Sequence, residues 1–333
     1  MTRSRARQWA AQVGRRAGRA RSSVAAPLRQ LGRRLGQGAP VRLRLPGTPR
    51  GVPTRLARNG PVALTYDIRG HGSPLVLIQG VGVGRWGWAP VADRLARRFR
   101  VITIDNRGIG ASDSPPGHYS TRMMAEDVLA VLDHAGIQRA SLVGTSLGGM
   151  IAQELALAHP ERVDKLVLVA TIPGGPRSRP MPLPTTYLFA WAPFMTSQAK
   201  LHQFVQQTLG PTTLRRRPRI ARRLAAAKLA HPQSESAWRA QTAAGMLFNP
   251  LGRQRRITRP TLIIQGTADQ VVAPGNAEVL ADLLPDARVQ RFGGAGHLLY
   301  WEQPKRFVRV VTDFLTDPAT AAHVPATAAC WAS

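Results

Sequence analysis

The chain has 333 residues, of which 44% are hydrophobic, enough for one large α/β domain with an insertion. Its formal net charge is +28, and its single cysteine, Cys330, excludes a disulfide framework within the chain. No run of about 18 apolar residues occurs, which excludes a transmembrane helix. These features predict a cytoplasmic protein.

The first 60 residues are strongly basic, with fifteen arginines and no acidic residue. Apolar residues recur at three- and four-residue steps between Trp9 and Leu35, a pattern typical of segments that lie on anionic membranes. Several glycines and Pro27 weaken any helix there. We therefore expect residues 1–60 to form a disordered arm. The alternative is an arm that binds an anionic membrane surface and makes the protein a peripheral one.

Nucleic acid is not an expected partner of this arm, because its arginines lack interleaved aromatic residues. The sequence gives no basis for predicting an oligomeric state.

The folded body is predicted to begin near Val62, where strand-like and helix-like stretches start to alternate. Predicted strands in the first half cover residues 62–68, 74–79, 99–104, the run that ends at 145, and 163–171. The continuous apolar runs at 74–79 and 163–171 are typical of strands that are buried on both faces. Because helical patterns separate the strands, the sequence predicts an α/β fold with a mostly parallel, doubly wound sheet.

This alternation stops between residues 172 and 259. Prolines and glycines cluster first, and helical segments rich in arginine follow. The region has thirteen arginines and two lysines, against Glu235 as its one acidic residue. Between these parts lies a group of aromatic and sulfur-containing residues, Tyr187, Phe189, Trp191, Phe194 and Met195. We interpret residues 172–259 as a helical cap inserted into the sheet domain.

The strand pattern resumes at 261–266 and 287–292, and a last helix follows. The sheet domain is therefore predicted over residues 61–171 and 260–316. The Ala- and Thr-rich tail 317–333 is expected to be disordered.

One short motif stands at the centre of the predicted domain. Gly144-Thr145-Ser146-Leu147-Gly148 follows a buried strand and precedes an apolar, alanine-rich helix. A strand, a sharp turn and a helix in this order hold the central serine in a strained conformation at the edge of a sheet. The flanking glycines are required because strand and helix pass too close for a Cβ atom.

Further motifs accompany this turn in the sequence. They are the Gly80-x-Gly-x-Gly loop, Asp105-x-Arg-Gly-x-Gly-x-Ser112, Gly266-Thr-Ala-Asp269 and Gly296-His297. With the Ser146 turn, they resemble the α/β-hydrolase superfamily, whose members place serine, acid and histidine in this chain order. The resemblance covers about three quarters of the chain. It is greatest to small bacterial esterases and lactonases with a helical cap, such as 3-oxoadipate enol-lactonase and non-haem haloperoxidase-like enzymes.

The resemblance implies a role for each motif residue. Ser146 would be the nucleophile, His297 its general base, and Asp269 the acid that orients the imidazole. The backbone N–H groups of Leu147 and Val81 would form the oxyanion hole. The Asp105–Ser112 motif is interpreted as a structural turn.

The resemblance further implies a serine hydrolase that cleaves carboxylic esters or lactones of small, partly apolar molecules. No cofactor is expected, and no metal site is expected because no suitable His, Cys and Asp spacing occurs. Carbon–carbon bond hydrolysis and cofactor-free perhydrolysis stay open, since the same triad serves them. A protein of another class, which acts at a membrane surface through its basic arm and cap, is the remaining alternative.

Two features bear on the substrate. Trp86 and the cap residues Tyr187, Phe189, Trp191, Phe194 and Met195 are candidates for the pocket wall. The chain has Gln79 where the family usually has histidine before the glycine loop, which puts the geometry of that loop in doubt.

Overall fold

The structure is a computed structural model that describes residues 52–191 and 195–320, all within one compact unit. Its centre is an eight-stranded sheet. The strands are β1 Thr54–Asn59, β2 Val62–Arg69, β3 Ser73–Ile78, β4 Phe99–Ile104, β5 Ala140–Thr145, β6 Val163–Val169, β7 Thr261–Gly266 and β8 Ala287–Phe292. No helix among the described residues is long and apolar enough to span a membrane.

The strands lie side by side in the order β1-β2-β4-β3-β5-β6-β7-β8. β1, β2 and β4 pair antiparallel, and every pair from β4 to β8 is parallel. This arrangement confirms the predicted mostly parallel, doubly wound sheet. The chain order reverses at β3, which has β4 on one side and β5 on the other. A crevice for ligands forms at such a reversal, beyond the carboxyl ends of the strands.

Strand β3 shows how the sequence builds two hydrophobic layers. Its residues 75–78 are fully buried, and they point alternately to opposite faces of the sheet. Val76 and Ile78 belong to one apolar cluster, and Leu75 and Leu77 belong to the other. Burial on both faces explains why the strand is a continuous apolar run.

Helices cover both faces of the sheet. In chain order they are α1 Ala92–Leu95, α2 Thr121–His134, α3 Leu147–Ala158, α4 Leu183–Trp191, α5 Ser197–Thr208, α6 Pro211–Arg216, α7 Pro218–Ala230, α8 Glu235–Met246, α9 Asn276–Leu283, α10 Leu299–Glu302 and α11 Pro304–Thr316. Helices α2, α3 and α9 contribute to the first cluster, and α1 and α11 to the second. Helices α4 to α8 all fall between β6 and β7, and we call this segment the cap.

The folded body begins earlier than the sequence predicted. Residues 54–59, assigned to the basic arm, form β1 and pair with β2 along its full length. Only Ala57 of this edge strand is buried, while Arg55 and Arg58 face solvent. Charged side chains are common on edge strands, and here they make the strand resemble the arm that precedes it. Residues 1–51 of the predicted arm, with the proposed membrane contact, lie outside the described residues.

The predicted tail also begins inside the described fold. The backbone oxygen of Asp317 accepts a hydrogen bond from Lys165 at 3.1 Å, and its carboxylate lies 3.4 Å from Arg288. Residues 318–320 form a short 3₁₀ turn. The remaining tail residues lie outside the description.

A buried ion pair connects the loop after β4 to helix α2. The Arg107 guanidinium donates to both oxygens of Asp127, at 2.5 and 2.6 Å, and both side chains are buried. We expect Asp127→Asn to lower the free energy of unfolding by about 3–5 kcal/mol, because it leaves a buried guanidinium without its counter-charge. Urea unfolding measures this change.

Asp133→Asn on the same helix is the matched control. Asp133 is 59% exposed and pairs with Arg162, so its loss is expected to cost less than about 1 kcal/mol. Equal losses in the two variants would contradict the role assigned to burial.

Candidate active site

Ser146 lies at the turn between β5 and α3, where the sequence placed it. Its backbone has φ 54° and ψ −121°, a conformation that L-residues rarely adopt and that costs on the order of 1–3 kcal/mol. A Cβ on Gly144 would lie 2.2 Å from the Gly148 oxygen, and one on Gly148 would lie 2.2 Å from the Ile78 oxygen. The two glycines therefore let the strand and the helix approach each other, and the turn presents the serine at the sheet edge.

Asp269 and His297 meet beyond the ends of β7 and β8. Asp269 Oδ2 lies 2.9 Å from His297 Nδ1, and both residues are buried. The other carboxylate oxygen accepts hydrogen bonds from the backbone N–H groups of Val271 and Val272, at 2.8 and 3.0 Å. Because the carboxylate can only accept when ionised, it favours the tautomer with the proton on Nδ1, which leaves Nε2 free as a base.

A cavity of about 390 Å³ joins these groups. Ser146 and His297 both line it, together with the loop after β3. The cap supplies the opposite wall, which includes Leu201, Phe204 and Trp238. The cavity lies where the chain order of the strands reverses, as expected for the ligand site of such a sheet.

The predicted oxyanion donors lie beside Ser146. A Cβ on Gly80 would lie 3.0 Å from the Ser146 Cβ and 3.5 Å from its Oγ, so this loop runs directly past the serine. Leu147 is the first residue of α3, where a backbone N–H has no acceptor within the helix. The Val81 N–H has no acceptor among the residues that the structure describes. Val81 lines the cavity and Leu147 does not, so the oxyanion role of both N–H groups stays a prediction.

The Asp105–Ser112 turn supports the loop after β3. Asp105 accepts the Arg85 backbone N–H at 2.7 Å, and Asn106 donates to the Gln79 backbone oxygen at 2.9 Å. The Gln79 side chain accepts from the Tyr300 hydroxyl at 3.1 Å. Both oxygens of Gln79 thus have partners where the family usually has histidine, while its buried Nε2 has none among the described residues.

The cap also holds this loop. Gln241 of α8 is fully buried, and its side-chain oxygen accepts the Gly82 N–H at 3.0 Å. Its amide group donates to the Arg107 backbone oxygen at 2.7 Å. A buried amide with both ends bonded fixes the two backbone segments relative to each other. Gln241 therefore positions the loop that carries Val81.

A buried carboxylate supports the histidine loop in a similar way. Glu302 accepts backbone N–H groups from Gly296, at 2.6 Å, and from Gly210 of the cap, at 3.1 Å. Burial raises the pKa of Glu302, and its hydrogen bonds partly offset this. The residue connects the start of α6 to the loop of His297.

The predicted pocket wall is corrected at three of its positions. Trp86 stacks on His231 with 5.7 Å between ring centroids and does not line the cavity. Tyr187 is 62% exposed, and neither it nor Met195 lines the cavity. The direction of a side chain depends on how its helix packs, which the aromatic composition alone does not specify. The side chains of Phe189, Trp191 and Phe194 lie outside the described residues.

Three residues at the site carry no sequence motif: Lys228, Gln241 and Glu302. Gln241 and Glu302 act on backbone groups that are distant in the chain, so no local pattern marks them. For Lys228, the rarity of lysine in the chain was a signal in the sequence. The chain has only four lysines among its 46 basic residues, and two of them, Lys200 and Lys228, line the cavity.

Comparisons with known proteins agree with this geometry. A family model described as the alpha/beta hydrolase fold matches residues 73–304. A protein of Mycobacterium tuberculosis, provisionally named non-heme bromoperoxidase BpoC, is 33% identical over 262 residues, which cover 73% of this chain and 94% of the relative. The 2-hydroxy-6-oxononadienedioate/2-hydroxy-6-oxononatrienedioate hydrolase of Burkholderia vietnamiensis is 35% identical over 263 residues, or 75% and 90% of the two chains.

A solved structure shares the same fold. Est816, described as an N-acyl homoserine lactone degrading enzyme, aligns with a TM-score of 0.69 at 30% sequence identity. The match covers 78% of this chain and 100% of Est816. The names of these relatives thus refer to different substrates, an oxo-dienedioate in one case and an N-acyl homoserine lactone in the other.

Proposed function

Because the chain belongs to the α/β-hydrolase family, we propose that it is a serine hydrolase that cleaves carboxylic esters or lactones of small, partly apolar molecules. The observation that carries this proposal is the 2.9 Å contact between His297 and Asp269 at a cavity that Ser146 also lines. A base with a fixed tautomer at the same cavity as a half-buried serine supports nucleophilic acyl transfer.

In the proposed reaction, Ser146 Oγ attacks the substrate carbonyl while His297 Nε2 accepts the hydroxyl proton. The negative charge of the tetrahedral intermediate is stabilised by the N–H groups of Val81 and Leu147. The intermediate collapses to an acyl-enzyme, and His297 returns the proton to the departing alcohol oxygen. Water then attacks the acyl carbonyl with His297 again as base, which releases the acid and restores Ser146. A lactone follows the same steps, with the alcohol retained in the product.

One relative favours a second candidate, carbon–carbon bond hydrolysis. The Burkholderia vietnamiensis protein, at 35% identity, is named as a hydrolase of an oxo-dienedioate. The same three residues could serve that reaction if the leaving group were a carbanion protonated within the cavity. Turnover of simple esters at rates far above those of vinylogous diketones would favour the ester proposal.

A fluorophosphonate probe tests the nucleophile directly. We expect one equivalent to add covalently to Ser146 with loss of fluoride, because the probe phosphonylates a serine that a neighbouring base activates. Mass spectrometry of the digested protein locates the adduct, and hydrolysis of 4-nitrophenyl butyrate should stop in proportion to labelling.

Ser141 provides an internal control. It lies in β5, the strand that precedes Ser146, and its hydroxyl contacts Asp164 at 3.3 Å rather than a histidine. Label on Ser141, or full esterase activity after complete labelling of Ser146, would contradict the proposal.

A further inference from the structure

Lys228 places an ammonium group in the wall of the cavity. The residue belongs to α7, and its Nζ donates to the Gly82 backbone oxygen at the edge of the oxyanion loop. It also lies 5.6 Å from the centre of the Phe204 ring. Its side chain thus spans from the cap to the loop that carries Val81. Lys228 lines the cavity, and so do Gly82 and Phe204, the two residues that its Nζ contacts.

Among the described residues, no Asp or Glu side chain pairs with Lys228. The stretches outside the description contain no Asp or Glu. The two other charged cap residues that line the cavity, Lys200 and Glu235, pair with each other at 2.9 Å. The cavity therefore has one uncompensated positive charge, on Lys228.

Burial makes the charged form of Lys228 energetically unfavourable at this position. Burial lowers the pKa of Lys228 to about 8, because no neighbouring acid offsets the loss of hydration. An ammonium group has three N–H donors, and Gly82 accepts only one of them. An anion in the cavity would accept a remaining donor and neutralise the charge. A carboxylate suits this site, since charge-assisted hydrogen bonds of this kind are short and strong.

We propose that Lys228 binds a carboxylate of the substrate, so that the preferred ester or lactone carries a second, ionised acid group. This inference rests on the proposed hydrolase function, whose substrate class it narrows. The competing explanation is that Lys228 only positions the loop through Gly82. The two differ in what they predict for substrates of different charge, because a loop-positioning role affects charged and neutral substrates alike.

Binding to the Ser146→Ala protein tests the inference without turnover. The first pair of probes is monoethyl glutarate and ethyl methyl glutarate, which differ by one charge on the acyl side. The second pair is 4-acetoxybutanoate and its methyl ester, which differ by one charge on the alcohol side. We expect the anionic member of at least one pair to bind about 10- to 100-fold more tightly in NMR titrations at pH 7.

Adding Lys228→Met to Ser146→Ala should reduce this preference to within about threefold, whereas adding Lys228→Arg should retain most of it. Lys305→Met is the matched control, because Lys305 is an exposed residue of α11 that does not line the cavity. It should leave the preference as it was. Equal binding of both members in both pairs, or an equal loss for both members in Lys228→Met, would overturn the inference.

The pH dependence gives a second readout. Because the pKa of Lys228 is about 8, its ammonium group is about nine-tenths protonated at pH 7 and almost fully deprotonated at pH 9.5, so the preference for the anionic probe should fall by about 10- to 30-fold between these values. The other titratable groups near this end of α7 are Lys200, Glu235, His231 and His297. The probes of a pair meet the same groups, and the Lys228→Arg protein should lack the change below pH 10. A preference that does not change over this range would overturn the inference.

Turnover by the wild type reports separately on the proposed function. Hydrolysis of both members of a pair with no difference in affinity would leave the hydrolase proposal standing and remove the role of Lys228. Selective binding of the anionic probes without hydrolysis of any ester would support the role of Lys228 and contradict the hydrolase proposal.

Discussion

Ser146→Ala is expected to lower kcat for 4-nitrophenyl butyrate by about 10⁴- to 10⁶-fold. Alanine removes the atom that forms the acyl-enzyme, and the remaining groups can only assist direct attack by water. The variant should fold as well as the wild type, because the methyl group fills nearly the same space. Steady-state kinetics measures the loss, and active-site titration excludes contaminating wild-type enzyme.

The positive φ of Ser146 supplies a sharper control. Ser146→Gly removes the same oxygen and also relieves the backbone strain at φ 54°. We expect it to be as inactive as Ser146→Ala and to have a melting temperature no lower than that of the wild type. A variant at this position that keeps more than about a tenth of the wild-type kcat would contradict its assignment as nucleophile.

Asp269→Asn is expected to lower kcat by about 10³- to 10⁴-fold while KM changes little. The asparagine oxygen can still accept from the backbone of Val271 and Val272, and this turns its NH₂ group towards His297. The imidazole would then present its lone pair to the amide and carry its proton on Nε2, where it cannot accept one from Ser146. Stopped-flow and steady-state kinetics give kcat and KM separately.

Asp313→Asn is the matched control, since Asp313 is exposed on α11 and its loss should change kcat by less than about twofold. A downfield Nδ1 proton resonance of His297 should be present in the wild type and absent in Asp269→Asn. Parallel losses of activity and thermal stability, with that resonance retained, would indicate a structural role for Asp269 instead.

The sheet was predictable because burial on both faces imposes a simple pattern. Continuous apolar runs such as residues 74–79 can only form interior strands, and the helical periods between them fix their parallel direction. The turn at Ser146 was predictable because two glycines at fixed spacing are required for close packing. Strand β1 was not predictable. It is an edge strand with two exposed arginines and one buried residue, so its sequence pattern is the same as that of the basic arm.

The site also contains residues that the sequence could predict and residues that it could not. Its motif residues lie at strand ends, whose positions follow from the sheet, and resemblance to a family supplied their order. Gln241 and Lys228 lie on cap helices, and the side that each helix turns to the cavity depends on packing between distant segments. That dependence also explains why Tyr187 and Met195 were assigned to a wall that they do not form.

The hydrogen bonds between cap and core limit how the substrate specificity of this protein can be altered. Gln241 and Lys228 hold the loop of Val81, and the Gly210 N–H holds Glu302 beside the loop of His297. In the proposed reaction, substrate selection and bond cleavage would therefore depend on the same contacts. A cap rebuilt to admit a larger molecule would lose the supports of the two loops that serve Ser146, unless these few contacts were preserved. New specificity in this scaffold should arise most easily from side chains such as Leu201, which line the cavity without holding a loop.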